Sequence, residues 1–202
     1  MPLPTESTQT RTGSSDVVTF SAPLEQFHQE LTASVRGLTV EQTQSRPKGR
    51  PDAWSIQQIV QHLMLTYDMA CVAFEERLAK ARPSHRPVTL KERVVQRVVL
   101  NWGWFPNGRS APEFVRPEHI SLPPLDGAEL ATEATRHLAA FDAIARRAEA
   151  AFGSGRCINH AILGMMSVAQ WRRFQVVHGR HHLKQIAGIR AEQEAAKGAH
   201  HR

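Results

Sequence analysis

The segment VVHGRHHLKQI, residues 176–186, places His178, His181 and His182 within five positions around Gly179. Imidazole binds transition metals as a neutral ligand and changes charge near neutral pH, so this density points to metal or acid-base chemistry. On a helix, positions 178 and 182 differ by about 40° of rotation and project from one face about one turn apart. They make a two-point metal grip. His181 points about 100° away from His182, so one ion would not draw all three ligands from this helix, and the 178/181 pair is the weaker alternative. His181 is therefore expected beside the ligands or at the surface. A solvated helix face is the competing reading of the whole cluster.

Two histidines make a poor site, and a third ligand should come from a facing helix. His62, in IVQHLML, is the candidate, because it lies one turn from Ile59 and Thr66 beside an apolar stripe and can point inward. Taken alone it reads first as a hydrogen-bonded histidine at the edge of a core. Three neutral imidazoles suit Zn, Ni, Co or Fe rather than Mg or Ca, which prefer oxygen; zinc or nickel is expected here. Such a site keeps coordination positions open, where a water has its pKa lowered to about 7 or a thiol is forced to thiolate.

The elements that must position these residues read as almost entirely α. Capping-box patterns open four segments: SIQQ at Ser55, TLKE at Thr89, DGAE at Asp126 and SVAQ at Ser167. The first carries Ile56, Ile59, Val60, Leu63, Met64, Tyr67, Cys71, Phe74 and Leu78 at helical spacing and ends before Pro83. The second is short, runs through Val94 to Leu100 and stops at GWFPNG. The third carries Leu130, Leu138, Phe141, Ile144 and Ala148, and the last Trp171, Phe174, Val177, Leu183, Ile186 and Ile189. A further helix from about Pro23 to Gly37 precedes them. The prolines of NGRSAPEFVRPEHISLPP argue against regular structure between the short helix and the third long one. Neither an internal repeat nor a strand-like alternation is evident. The expected fold is an all-α four-helix bundle with a short extra helix and a long loop between helices two and three.

AWSIQQIVQHLMLTYDMA (53–70) resembles the opening helix motif of the DinB-like superfamily, a Trp-Ser ahead of a helix that carries His-Leu two turns later. LGMMSVAQWRRFQVVHGRHHLKQI (163–186) resembles its terminal motif: Gly, a capped helix, Trp, then H-x-x-x-H followed by Leu and Gln-Ile. The similarity covers roughly residues 20–192. It implies an up-down-down-up bundle with a divalent metal held by His62, His178 and His182, the same three residues that spacing selects. It also implies thiol transfer with a low-molecular-weight thiol cofactor, a non-catalytic metal-stabilised or purely structural bundle being the alternative. His160, in CINHAILG, stands where related sequences often have His-Pro, here followed by Ala161. A loop histidine holding a hydrogen bond is the plain reading of it.

Around the site, Gln58, Gln175 and Gln185 lie on turns adjacent to the ligands and could hold their free ring nitrogens. Tyr67 turns about 140° away from His62 and reads as packing rather than as an acid. Arg172, Arg173, Arg180 and Lys184 could hold an anionic cofactor, though a solvated basic face is the simpler reading. Trp102, Trp104 and Phe105 could cover one end of the bundle or line a pocket. Gly179 costs about 0.5–1 kcal/mol relative to Ala within a helix, which either relieves crowding or is drift.

Length and composition bound the rest. The 202 residues suffice for one domain, expected over 19–192, with loose tails at 1–18 and 193–202. Cys71 and Cys157 form no disulfide framework, no secretion signal or long apolar span stands out, and a cytoplasmic setting is expected. The net charge of +6 comes from scattered rather than clustered basic residues. The expected partners are a small-molecule substrate or thiol, with no nucleic acid and no membrane, and a homodimer left open.

Overall fold

Capping chemistry decides where the helices begin. The computed structural model describes residues 19–105 and 111–200. Its first helix, α1, spans Ala22–Val35. A capping box not anticipated from the sequence, Thr39 with Gln42, opens the five-residue α2, Val40–Gln44. The anticipated boxes then open α3 (Ile56–Ala79) at Ser55, α4 (Leu90–Gln96) at Thr89 and α5 (Gly127–Phe152) at Asp126. Before the last helix, α6 (Val168–His200), the Ser167 Oγ accepts from Gln170 N while Gln170 Oε1 accepts from Ser167 N. Each box satisfies backbone N–H groups that the first helical turn leaves without a partner.

The four long helices bury their apolar stripes against one another. Leu24, Phe27, Leu31 and Val35 of α1 meet Leu63, Tyr67 and Phe74 of α3, Leu130, Leu138 and Phe141 of α5, and Trp171, Phe174 and Ile186 of α6 in one cluster. Each such side chain contributes about 1.5–3 kcal/mol on full burial. Polar contacts mark the seams: Ser21, just ahead of α1, and His28 of α1 meet Asp142 and Thr135 of α5, and Glu30 of α1 meets Arg180 of α6. Asp68 of α3 meets His137 of α5, and Thr66 of α3 meets Gln175 of α6.

Three features depart from the sequence reading. A two-stranded antiparallel hairpin, β1 (Arg156–His160) with β2 (Gly164–Ser167), joins α5 to α6 where no strand was expected. Its strands are five and four residues long, too short for alternation to show against the background of apolar residues. Cys157 and Ile158 of β1 and Met165 and Met166 of β2 are all buried, and Gly164 turns back with φ of +70°. The long α3–α5 connection is not wholly irregular either, for α4 continues into a π-helical segment, Arg97–Asn101, and two 3-10 turns follow at Glu113–Val115 and Pro117–His119. Finally, the stretch from residue 193, expected as a loose tail, continues α6 to His200, and Gln193 Nε2 donates to Gln42 O at 3.0 Å. The N-terminal segment 1–18 lies outside the described residues, as do Pro106 to Ser110. No described helix is long and apolar enough to cross a membrane.

Candidate metal centre

His62 lies on the second turn of α3, and His178 and His182 on the middle of α6, where they take positions in the buried stripe between Phe174 and Ile186. All three are 9% exposed or less. Their Nε2 atoms converge: His178 Nε2 stands 3.3 Å from that of His62 and 3.1 Å from that of His182. One ligand atom from each lies within 4.8 Å of the others. Nitrogens around a tetrahedral ion with bonds of about 2.0 Å stand about 3.3 Å apart, so the spacing fits a metal.

The outer ring nitrogens decide which way the inner lone pairs point. His62 Nδ1 donates to Val115 O at 2.7 Å, and His182 Nδ1 donates to Gln185 Oε1 at 2.9 Å. Both rings therefore carry their proton outside and turn a bare Nε2 inward, the state of a metal-ligating histidine. His178 has no such partner, its buried Nδ1 meeting no acceptor or donor among the described residues. With its proton on Nε2 it could bridge only one neighbour; with the proton on Nδ1, three lone pairs face each other. A cation at the convergence removes the conflict, whereas a proton is disfavoured. Burial holds all three imidazoles below their ordinary pKa, most strongly His178 and down to about 3 for His182, where the neighbouring His62 adds to the effect.

Aromatic rings wall the centre. Trp54 packs 4.9 Å from His62, and Phe174 stacks on His178 at 5.2 Å with an interplanar angle of 6°. The histidines line an open cleft of about 1760 Å³ that also reaches Phe105, Phe114, Trp171 and Lys184.

The family model of the DinB superfamily matches residues 24–186, most of the chain. The chain belongs to the DinB superfamily. No curated protein and no solved structure matches it. In this DinB superfamily protein the matched span contains all three converging histidines.

Of the glutamines expected to orient ligands, only Gln185 does so. Gln58 is spent on the Ser55 cap, and Gln175 on the Thr66 hydroxyl and carbonyl. The Val115 carbonyl that serves His62 could not be found from sequence, since it arrives from a loop more than fifty residues away and main-chain groups leave no residue-type signal. Tyr67 is fully enclosed against Phe141, as packing required, and burial keeps its hydroxyl protonated. Of the four basic residues singled out on α6, Lys184 is exposed on the cleft wall, while the three arginines are engaged within the protein. Arg172 is buried on Asp142 and Glu149, Arg173 Nε donates to Leu100 O at 2.5 Å, and Arg180 pairs with Glu30 at 2.7 Å. Phe105 reaches the centre at 5.6 Å from His178 and 5.1 Å from His181, while Trp102 stays 71% exposed. His181 is half-buried on the cleft wall, its ring edge-on to His182 at 5.1 Å.

Proposed function

We propose that this protein is a metal-dependent enzyme acting on a small molecule, with zinc or nickel held by His62, His178 and His182 and a low-molecular-weight thiol as one reactant. The observation that carries the reading is the inward convergence of three Nε2 atoms on the wall of an open cleft. A bound divalent ion would supply Lewis acidity, favouring the deprotonated form of a water or thiol at neutral pH. The chain's own part is to hold the ligands. Val115 O and Gln185 Oε1 fix two tautomers, Trp54 and Phe174 fix ring planes, and the apolar rings exclude bulk water from the lone pairs.

The thiol would have to come from the ligand. Cys71 has its pKa pushed up to about 12 by burial and by Asp68 and Glu75, and the buried Cys157 is raised as well, so neither supplies a thiolate at neutral pH. In the same proposal the long helices run up-down-down-up. Supporting it, Phe27, Glu30 and Ser34 of α1 meet Gly179, Arg180 and Arg190 of α6 in ascending order, whereas Ser21 and His28 meet Asp142 and Thr135 of α5 in descending order.

Elemental analysis of protein purified without chelator tests the site: about one divalent ion per chain is expected, falling close to none in His178→Ala and His182→Ala. A metal-free wild type after loading with zinc or nickel would sink the proposal. A second reading, a metal that only staples the bundle, is favoured by the ligands' bridging α3 to α6. It predicts a stabilising ion together with an empty screen of thiols against electrophiles.

A further inference from the structure

His160 closes β1 one aromatic ring away from the metal centre, and its surroundings dictate its protonation in unusual detail. The Nδ1 atom accepts two main-chain N–H groups across the hairpin turn, from Ile162 and Leu163, each at 3.1 Å. An imidazole nitrogen that accepts two donors carries no proton, so the neutral ring keeps its hydrogen on Nε2. Burial lowers the pKa of His160 to about 4, which keeps the ring in that neutral form throughout the neutral range. Its plane is fixed by α6, with Trp171 at 5.0 Å and Phe174 edge-on at 4.7 Å. Phe174 in turn stacks flat on His178.

His160, Phe174 and His178 thus form a row along one wall of the cleft. Among the described residues no protein acceptor meets the Nε2–H of His160, and that nitrogen is not among the enclosed, unpartnered atoms. The result is a hydrogen-bond donor, uncharged in the neutral range and held in place by its ring contacts, on the wall that carries the converging histidines. Of the cationic groups in this part of the fold, Arg86 is engaged with Glu92 and Asn159 and Arg173 with Leu100 O, whereas Lys91 and Lys184 also line the cleft and are exposed.

We propose that His160 is a ligand-binding residue, whose Nε2–H holds a carbonyl or carboxylate oxygen of a small molecule while the other end of that molecule reaches the three-histidine centre. The proposal rests on the metal reading for the second half of that statement and on the hairpin geometry alone for the first. An uncharged donor between two aromatic rings selects an acceptor oxygen carried on an apolar or aromatic body, which Phe174 and Phe105 would cover. It would reject an ammonium group, since it has no acceptor to offer. His160 is an orienting group in this scheme and exchanges no proton.

Two measurements test it. In the metal-free protein, long-range nitrogen NMR of ring-labelled histidine should show His160 with an unprotonated Nδ1 and a protonated Nε2, and titration with sodium hexanoate should move the Nε2–H signal. A proton on Nδ1, or a signal unmoved at saturating hexanoate, overturns the proposal whether or not the protein takes metal. In the cobalt-loaded protein, ω-mercaptocarboxylates from mercaptopropionate to mercaptohexanoate are compared with matched alkanethiols through the thiolate-to-cobalt absorption band. The best carboxylate should bind about tenfold more tightly than its alkanethiol, the size of one net hydrogen bond to a charged acceptor. That preference should vanish in His160→Phe and return in part in His160→Gln, with cobalt content unchanged in both. Equal preference in wild type and His160→Phe overturns the proposal. A protein that takes no cobalt overturns the metal reading, and the NMR experiment still decides the role of His160.

Discussion

At the scale of single residues, Gly179 shows how a glycine between two of the converging histidines follows from a neighbouring helix. A Cβ built there would lie 2.1 Å from the Phe27 ring of α1, so glycine is what lets α1 approach α6 at the turn that carries His178 and His182. Its helix-propensity cost, about 1 kcal/mol against alanine, is outweighed by the overlap avoided. Gly179→Ala is therefore expected to lower stability by about 1–3 kcal/mol despite the better propensity. Chemical denaturation checks this, and Phe27→Leu in the same chain should recover part of the loss; a stabilised single mutant would contradict the close approach. Asp142 is the other residue whose role is local and strong. It is nearly inaccessible and accepts from Ser21 N and Oγ, Arg146 and Arg172, joining the start of α1 to α5 and α6. Burial works to raise its pKa, and the hydrogen bonds from Arg146 and Ser21 outweigh it, leaving the carboxyl below its ordinary value. Asp142→Ala would strand the buried guanidinium of Arg172, for a loss of about 3–5 kcal/mol in a urea titration. A loss under about 1 kcal/mol would show that Glu149 alone satisfies Arg172.

At the scale of elements, the hairpin between α5 and α6 carries a pH signature. The folded pKa of His160, about 4, lies below the value of about 6.5 expected in the unfolded chain. Between these values the unfolded state binds a proton that the folded state does not, so stability falls as pH drops from about 6.5 towards 4. The buried His62, His178 and His182, lowered in the same direction, add to this slope in the metal-free protein. The thermal midpoint should decline less steeply across that interval in His160→Gln than in wild type, since glutamine can accept the turn N–H groups without titrating. Superimposable profiles would assign the slope to the other histidines. The π-helical segment after α4 ties the connection to the bundle: it buries Val99 and Leu100 and presents the Leu100 carbonyl to Arg173 of α6.

For the whole molecule, the three converging histidines link α3 to α6, two helices that are far apart in sequence and share the core. An ion bound only in the folded state stabilises it by mass action, by about 2.7 kcal/mol at a free concentration one hundred times Kd. Zinc or nickel should raise the thermal midpoint of wild type by several degrees and leave that of His62→Ala unchanged. An equal rise in both would mean that the ion binds elsewhere. The positive charge is dispersed at this scale too, with Arg86, Arg136, Arg146, Arg172 and Arg180 all paired to carboxylates. What the chain by itself determined is whatever depends on local spacing. The four anticipated capping boxes, the apolar stripes of α3, α5 and α6, and the i, i+4 placement of His178 and His182 all rest on helical periodicity, which is written into neighbouring residues. His62 was legible as a candidate because it sits beside such a stripe. Only the tertiary structure decided that the three Nε2 atoms meet, that Val115 O and not Gln58 or Gln175 orients the His62 ring, and that Arg172 is buried on Asp142. It also turned the end of the chain into a continuation of α6 and a strandless reading into a hairpin. Each of these is settled by contacts between segments distant in sequence, where the partner is a backbone carbonyl, a ring face or an opposing charge that no spacing along the chain encodes.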